Sequence, residues 1–397
     1  MKLKKTATTI FALSAITGTA HAQSSVTLYG IVDAGILYNS NVNGNHEYAM
    51  TQANSSRWGL KGTEDLGGGL QTVFDLENGF TTATGSLSQG GLEFGRKAYV
   101  GLSSSAWGTL TVGRQYSVSN DFTDGFASGA DWAGSGLGYG THASDVDNVD
   151  TSNRVENAIK YESKIFNGLQ FGGMYSLGGQ AGNITKNEVI DAGVSYSNGP
   201  FKFGASYDYT KDPYYATFGD QGNSSTSATG TNDNMNNKIF GGYASAGAQQ
   251  IIVVGGSYTL GLATLGLEYS NTQFQNLGSV AAGGAISAPK YTGGNATFNS
   301  VEANVKYQLN PALQLGAAYI YTHNSGADRY GSASYNQVNL GATYFLSKRT
   351  SVYALAYYET ASGTDSTGNA AVADLYSSAY SKSDRQTAAI IGITQRF

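Results

Sequence analysis

Side chains able to break a covalent bond are scarce in this 397-residue sequence. There is no cysteine, which removes thiolate nucleophiles, disulfides and cysteine-based zinc sites together. Past residue 22 the histidines are His46, His142 and His323. Each falls in a predicted connection, without the paired-His or His-x-Ser spacing that a metal cluster or an activated nucleophile would need. An enzyme is not expected, and no cofactor or metal is implied. The chain offers separated charge instead. Asp121, Asp124, Asp131, Asp145, Asp147 and Asp150 crowd into a glycine-containing stretch, 116–153, that holds no lysine or arginine. Asp145-x-Asp147 with Asp150 could hold calcium, but lacks the glycine and the distal glutamate of a calcium loop. Arg57, Lys61, Arg96 and Arg154 lie outside that stretch. Fixed charges without a nucleophile sort ions by their field rather than make bonds.

The elements that must carry these charges have a period of two. Alternate positions are apolar or aromatic in Gly30–Tyr38, Arg57–Lys61, Thr109–Gly113, Gln170–Ser176 and Val352–Tyr358. Trp58 and Leu60 share one face, and Arg57, Gly59 and Lys61 the other; Leu110 and Val112 alternate with Thr109 and Thr111. That is the strand signal, and no helical period is sustained. The four prolines, Pro200, Pro213, Pro289 and Pro311, fall at predicted strand edges or connections, where a missing N–H is tolerated. Connections come in two alternating lengths. Seven are short, such as Asn198-Gly199-Pro200 and Leu309-Asn310-Pro311. Eight are long and polar, near 39–54, 81–94, 116–153, 178–187, 211–247, 276–297, 324–335 and 361–384. Together they separate sixteen strands, with tight turns at one end and long loops at the other, the pattern of an outer-membrane barrel.

Composition agrees. Charged residues make up 13% of the chain, against a usual share of about 25%. There are 28 tyrosines and 54 glycines. No apolar run past the N-terminus is long enough for a membrane helix, and a bilayer otherwise admits only closed sheets, because open strand edges leave backbone groups unpaired. Tyr29, Tyr38, Tyr99, Tyr161, Tyr196, Tyr209, Tyr269, Tyr307, Tyr344 and Tyr357 lie near predicted strand ends, where rings favour the membrane–water boundary. The N-terminus reads as a secretory signal: Lys2, Lys4 and Lys5, a short apolar stretch, then Ala20-His21-Ala22, with cleavage expected between Ala22 and Gln23. Residues 1–22 are then the signal peptide and 23–397 one barrel domain. Losing the three lysines takes the net charge from -5 to -8, which gives no footprint for nucleic acid.

Particular stretches carry a resemblance. They are Ser25-Val26-Thr27-Leu28-Tyr29-Gly30 with Asp33-Ala34-Gly35, and Ser56-Arg57-Trp58-Gly59-Leu60-Lys61-Gly62 running into Glu64-Asp65-Leu66-Gly67. Phe94-Gly95-Arg96-Lys97-Ala98-Tyr99-Val100-Gly101-Leu102, Leu110 to Tyr116 and the terminal Phe397 complete the set. In order and spacing the chain resembles a general diffusion porin of the Gram-negative outer membrane, of the β-proteobacterial branch. The resemblance implies a homotrimeric all-β barrel of sixteen antiparallel strands with the third long loop folded into the lumen. It implies passive diffusion of small hydrophilic solutes and ions through a barrel set in outer-membrane lipid and lipopolysaccharide. Phe397 would be the signal read by the barrel-assembly machinery.

In such a barrel the resemblance places Arg57, Arg96 and Arg154 on the wall of a constriction, facing acids of the inward loop. Alternation sets Arg57 opposite Trp58 and Leu60, Arg96 opposite Lys97 and Tyr99, and Arg154 with Glu156 and Lys160. Lys61 shares the Arg57 face and is a secondary candidate, while Arg114 shares the face of Leu110 and Val112 and is expected at the rim. An arginine on the lipid face at mid-membrane costs about 2–4 kcal/mol, which favours the lumen. Asp121, Asp124 and Asp131 are the loop acids expected to face the wall, although the Pro-Glu-Phe-Gly pattern of better-known members is absent. A weak preference for anions follows as an expectation; a substrate-specific channel is the alternative.

Overall fold

The computed structural model describes residues 25–134, 138–150, 153–216, 235, 237–280, 291–327, 332–375 and 379–397. The expected signal peptide, with Ala22 and Gln23, lies outside them. The strands in chain order are β1 (Ser25–Val42), β2 (Asn45–Thr51), β3 (Arg57–Gly67), β4 (Leu70–Gly79), β5 (Lys97–Ser104), β6 (Gly108–Gln115), β7 (Val155–Glu162) and β8 (Leu169–Ser176). Then follow β9 (Val189–Asn198), β10 (Phe201–Lys211), β11 (Ala248–Leu260), β12 (Ala263–Gln275), β13 (Ala296–Asn310), β14 (Leu313–Asn324), β15 (Ala333–Phe345), β16 (Thr350–Gly363) and β17 (Arg385–Arg396). Sequential segments other than β2 and β3 pair antiparallel, and β1 pairs with β17, so the sheet closes. Both β2 and β3 pair with β1, one along Gly35–Val42 and the other along Ser25–Ile31. They are two segments of one interrupted strand, and the barrel has sixteen strands. Closure reaches the last residue: the Phe397 N–H donates to the Gly30 carbonyl, and the Gly30 N–H to the Phe397 carbonyl, each at 3.1 Å.

Alternation along each strand divides two environments. Ile36 is 64% exposed on the outer wall, whereas Gly35 and Leu37 on either side of it are buried. Val26, Leu28, Val100, Leu102, Leu267, Ile391 and Ile393 continue the exposed apolar wall, the face a barrel presents to lipid. Asp33, Glu268, Glu302, Asn339, Glu359 and Thr394 are buried on the inward face. Tyr269, Tyr307 and Tyr344 are exposed on the outer wall as a girdle requires. Tyr29 and Tyr357 are not girdle residues. The Tyr29 hydroxyl donates to Asp75 at 2.6 Å, and the Tyr357 hydroxyl to the Ala133 carbonyl at 2.9 Å. Tyr99 pairs with Asp75 across β4 and β5 and shares that inward face. Proximity to a strand end did not tell the two faces apart.

The first expected long connection, 39–54, is mostly strand. β1 runs to Val42, turns at Asn43-Gly44, and returns as β2. Both turn residues have positive φ, 51° and 92°, the requirement of the hairpin turn whose twist matches the sheet. His46 accordingly lies on β2 and His323 on β14, not in loops.

The described parts of the long segment, 116–134 and 138–150, lie against the inner wall. Its aromatic side chains seat on glycines that face each other across neighbouring strands. Gly204 and Gly255 are register partners, and a Cβ added to either would stand 2.8 Å from the Phe126 ring. Gly193 would meet Phe122 at the same distance. Gly316 and Gly341, also register partners, lie under the Trp132 indole. Wall side chains hold the segment's backbone. Asn304 Nδ2 donates to the Phe126 carbonyl (2.7 Å), Gln337 Nε2 to the Tyr139 carbonyl (2.9 Å), and the Ser128 N–H to Glu302 Oε1 (2.6 Å). A second segment, 237–247, packs Phe240 and Tyr243 on Phe274 of β12. Both segments therefore lie against the later strands.

A side chain placed at Gly316 should lift Trp132 from its hollow. Overpacking of this kind costs about 1–3 kcal/mol. Gly316→Val is expected to keep the heat-modifiable gel mobility of a folded barrel while the tryptophan emission shifts to the red. Emission identical to wild type would mean that the indole does not rest there.

Candidate functional site

Opposite the packed segments, on the side of β3 to β7, lies a polar cavity of about 330 Å³. Its wall is built from Arg57, Glu77, Arg96 and Lys97, and its inner side from Asn120, Asp121, Asp124 and Asp150, with Tyr116 between them. Register explains the wall. Gly59 pairs with Glu77, and Glu77 with Lys97, so these positions share the inward face, and Arg57 shares it two residues before Gly59. Arg96 precedes β5, and its Nε lies 2.5 Å from Glu77 Oε1; Arg57 Nε lies 4.0 Å from the other oxygen. Glu77 thus spaces two guanidiniums that would otherwise repel.

The inner side is set by α1 (Val118–Thr123), capped by Ser117, whose hydroxyl accepts the Asn120 N–H at 3.1 Å. Asp121 and Asp124 are three residues apart, a helical-neighbour spacing. Asp121 pairs with Lys160 of β7. Burial is the main cause of its carboxyl rising to about 6, against the pull of Lys160. Burial, reinforced by the nearby Asp121 charge, raises Asp124 to about 7. Asp150 is pushed well up, again by burial first and Asp145 second. A carboxyl that titrates near neutrality changes the charge of the cavity over the physiological range.

The remaining expected site residues are dispersed. Arg154 stands behind Tyr116, its Nη2 donating to the phenol oxygen at 3.0 Å. Lys61 is on the Arg57 face but toward the short-turn end, its ammonium 5.1 Å from the Tyr29 ring. Asp131 does not face the arginine wall. It pairs with Lys306 of β13 and borders a second cavity of about 140 Å³ that also touches Trp132 and Arg396. Arg114 is neutralised by Glu156 at 2.6 Å. Asp145, Asp147 and Asp150 make no metal cluster; among the described residues no group of three His, Cys, Asp or Glu side chains is arranged to hold an ion. Asp147 instead pairs with His142 at 2.5 Å, and the other ring nitrogen lies 3.4 Å from Glu302 Oε2. Burial alone would lower the imidazole pKa, but the two carboxylates outweigh it and hold it well above its usual value. His142 is thus a buried tie between the segment and the wall.

Strict alternation breaks down at two places for local reasons. Lys97, not its opposite face, belongs to the inward register, and Arg96 reaches the lumen because it precedes the strand. In β7, Gln115 pairs with Val155 but Gly113 with Ala158, and Asn157 has a φ of 50°. This bulge carries an extra residue and reverses alternation, so Glu156 and Lys160 do not share a face. Glu77, Lys97, Lys160 and Tyr116 were missed as site residues. The signal for Glu77 is present in sequence: Asp75 and Glu77 alternate with the apolar Phe74, Leu76 pair.

Comparison with known proteins agrees with the barrel. The profile of the Gram-negative porin family matches residues 7–364. An outer membrane porin protein of Bordetella pertussis is 38% identical over 236 residues, 52% of this chain and 59% of the relative. Outer membrane porin protein 32 of Delftia acidovorans is 36% identical over 196 residues, 48% of this chain and 55% of the relative. Each alignment thus spans little more than half of the relative's own length. Among solved structures, an anion-selective porin from Comamonas acidovorans superposes with a TM-score of 0.68 at 22% identity, covering 94% of this chain and all of that one, a likeness of fold.

Glu77→Gln would strip the buried Arg96 guanidinium of its counter-charge. Breaking a buried pair from one side costs about 3–5 kcal/mol. The folded form of the variant is expected to convert to the unfolded gel form at a lower temperature than wild type. An unchanged conversion temperature would show that Glu77 does not anchor the wall cations.

Proposed function

The chain belongs to the Gram-negative porin family, whose relatives above are outer-membrane proteins, and on that premise we propose that it is a passive channel, not an enzyme, for small hydrophilic solutes and ions with a weak preference for anions. The observation that carries this reading is the cavity in which Arg57, Arg96 and Lys97 stand across from Asp121 and Asp124. Opposed charges at a narrowing produce a field across the passage, which sorts solutes by charge as well as size. Burial pushes the Asp150 carboxyl well up and raises Asp124 to about 7, which weakens the negative side of the cavity against the wall cations. Arg154 adds to the positive side from behind Tyr116, and Lys61 lies at a second position along the same wall. Asp131 serves another part of the lumen, with Lys306.

The same reading gives the chain a life before and around the pore. Residues 1–22 are a signal peptide cut between Ala22 and Gln23, and 23–397 the barrel domain. The barrel assembles as a homotrimer in outer-membrane lipid and lipopolysaccharide, its entry guided by the barrel-assembly machinery. Phe397 suits an assembly signal: its backbone completes the sheet while its ring stays 45% exposed.

Conductance of the purified protein in a planar bilayer across a potassium chloride gradient tests the reading. Stepwise current with a reversal potential of anion-preferring sign is expected; no current from a folded barrel, or cation preference, would sink it. Arg57→Ala with Arg96→Ala should lower the chloride-to-potassium permeability ratio. A unit charge about 4 Å from a passing ion is worth about 1 kcal/mol in water, so about a five-fold loss is expected, and an unchanged ratio in a folded channel would remove both residues from the narrowing.

The acids give the preference a pH dependence. Asp124, raised to about 7, is neutral below that pH and negative above it, so anion preference should fall as pH rises through about 7. Asp124→Asn should abolish most of that step and retain the acid-side preference. A step of undiminished size in the variant would assign it to another group.

A further inference from the structure

We propose that Tyr116 is a specificity-determining residue of this channel, its ring binding three cations into a single positive patch at the narrowing. The inference rests on the channel reading above. Tyr116 sits where β6 ends and the inward segment begins, directly before the helix cap Ser117. Around its ring lie Arg154 with its guanidinium carbon 5.0 Å from the centroid, Arg96 at 5.8 Å and the Lys97 ammonium at 5.8 Å. Each is within the range in which a cation is attracted by the negative face of an aromatic ring. The three come from different places, the loop before β5, β5 itself and the residue before β7. The phenol oxygen accepts from Arg154, and the Tyr116 carbonyl accepts from Lys160 Nζ at 3.2 Å.

Three like charges gathered at one spot repel, and two acids compete for them. Glu77 draws Arg96, and Asp75 draws Lys97, 3.3 Å away. The ring offers attraction without cancelling charge. A carboxylate in its place would neutralise one cation, and an aliphatic side chain would let them disperse toward Glu77 and Asp75. The aromatic ring therefore keeps the patch both compact and positive, and a compact patch sets the potential that a passing anion meets.

The hydroxyl adds a second, separable property. Burial alone would raise it, but Arg154 and Arg96 outweigh burial and hold the phenol below its usual 10.0. The charged groups around it are those three cations with Glu77, Lys160 at its carbonyl, and, across the cavity, Arg57, Asp121, Asp124 and Asp150. Ionisation of Tyr116 would place a negative charge in the middle of the patch.

The experiment compares Tyr116→Phe and Tyr116→Leu with wild type by reversal potential in a potassium chloride gradient, from neutral pH up to pH 10. A cation–ring contact is worth about 0.5–1 kcal/mol at a wet site, so Tyr116→Leu should lose at least about two-fold in chloride-to-potassium ratio at neutral pH, although no charge has been removed. Tyr116→Phe, which keeps the ring, should retain more of the ratio at neutral pH than Tyr116→Leu and lack the fall that wild type shows on the alkaline side, below pH 10. A wild-type ratio in Tyr116→Leu overturns the proposal, as does a Phe variant that behaves like the Leu variant. Should the Leu variant fail to fold, the alkaline limb of the Phe variant decides: a fall equal to wild type overturns it. Failure of the channel reading is distinct, because wild type itself would then show no current or the opposite sign.

Discussion

The structure depends on one constraint: no strand edge can be left open in hydrocarbon. A backbone N–H or C=O without a partner there costs several kcal/mol. The sheet answers by pairing β17 with β1 along nine consecutive residue pairs, Ile31–Arg396 to Asn39–Ala388. The last residue, Phe397, continues the ladder through Gly30. Gly30 is small there because the Phe397 ring occupies the space a side chain would fill. The first and last strands are thus held by each other, and the sheet has no open edge.

Closure turns a local alternation into a global sorting of chemistry. Once the sheet is a cylinder, every inward position looks into one enclosed space, and charged side chains from strands far apart in sequence become neighbours. Arg57, Glu77 and Lys97 share a wall with Arg96 through the register of neighbouring β3, β4 and β5, while Asn304 and Gln337, far along the chain, reach the carbonyls of the inward segment. Closure is also why the interior must be furnished. An empty sixteen-strand lumen would be wide, and the described parts of 116–153 take up space inside it. The segment is held by its acids, as in Asp121 on Lys160 and Asp131 on Lys306, by Phe122, Phe126 and Trp132 resting on glycines, and by wall amides that donate to its carbonyls. Glycine, a weak strand former, is tolerated at these inward positions because it makes room for a ring.

Much of this was legible in the residues. Alternation of apolar with small or polar side chains, two classes of connection and the low charge all point to a barrel. Parity sets Arg57 on the face that the strand register also turns inward, and Asp121 and Asp124 line the cavity across from it. The failures are equally instructive. Asn43-Gly44 is a strong hairpin signal, yet the polar composition of 39–54 reads as loop; composition outweighed turn chemistry. Tyr29 and Tyr357 lie on the inward face, Tyr357 in the middle of β16 and not at its end, so their hydroxyls found Asp75 and the Ala133 carbonyl instead of a membrane boundary. Parity failed at β7, where a single bulge at Asn157 exchanged the faces of all that precede it. Asp131, in the same acidic run as Asp121 and Asp124, turned to Lys306 on a distant strand.

The sequence by itself determined the strand content, the sixteen-strand count, the division into apolar wall and polar interior, and the pool of charged residues available to a pore. Those properties are encoded by neighbours one, two or three positions apart, where alternation and turn residues act. Only the tertiary structure decided which charges meet. Glu77 between Arg57 and Arg96, Asp121 against Lys160, His142 between Asp147 and Glu302, and Tyr116 among three cations are all set by strand register and by how one long segment seats across the lumen. Register and seating arise when the cylinder closes, because only then do residues separated by tens or hundreds of positions compete for the same enclosed space.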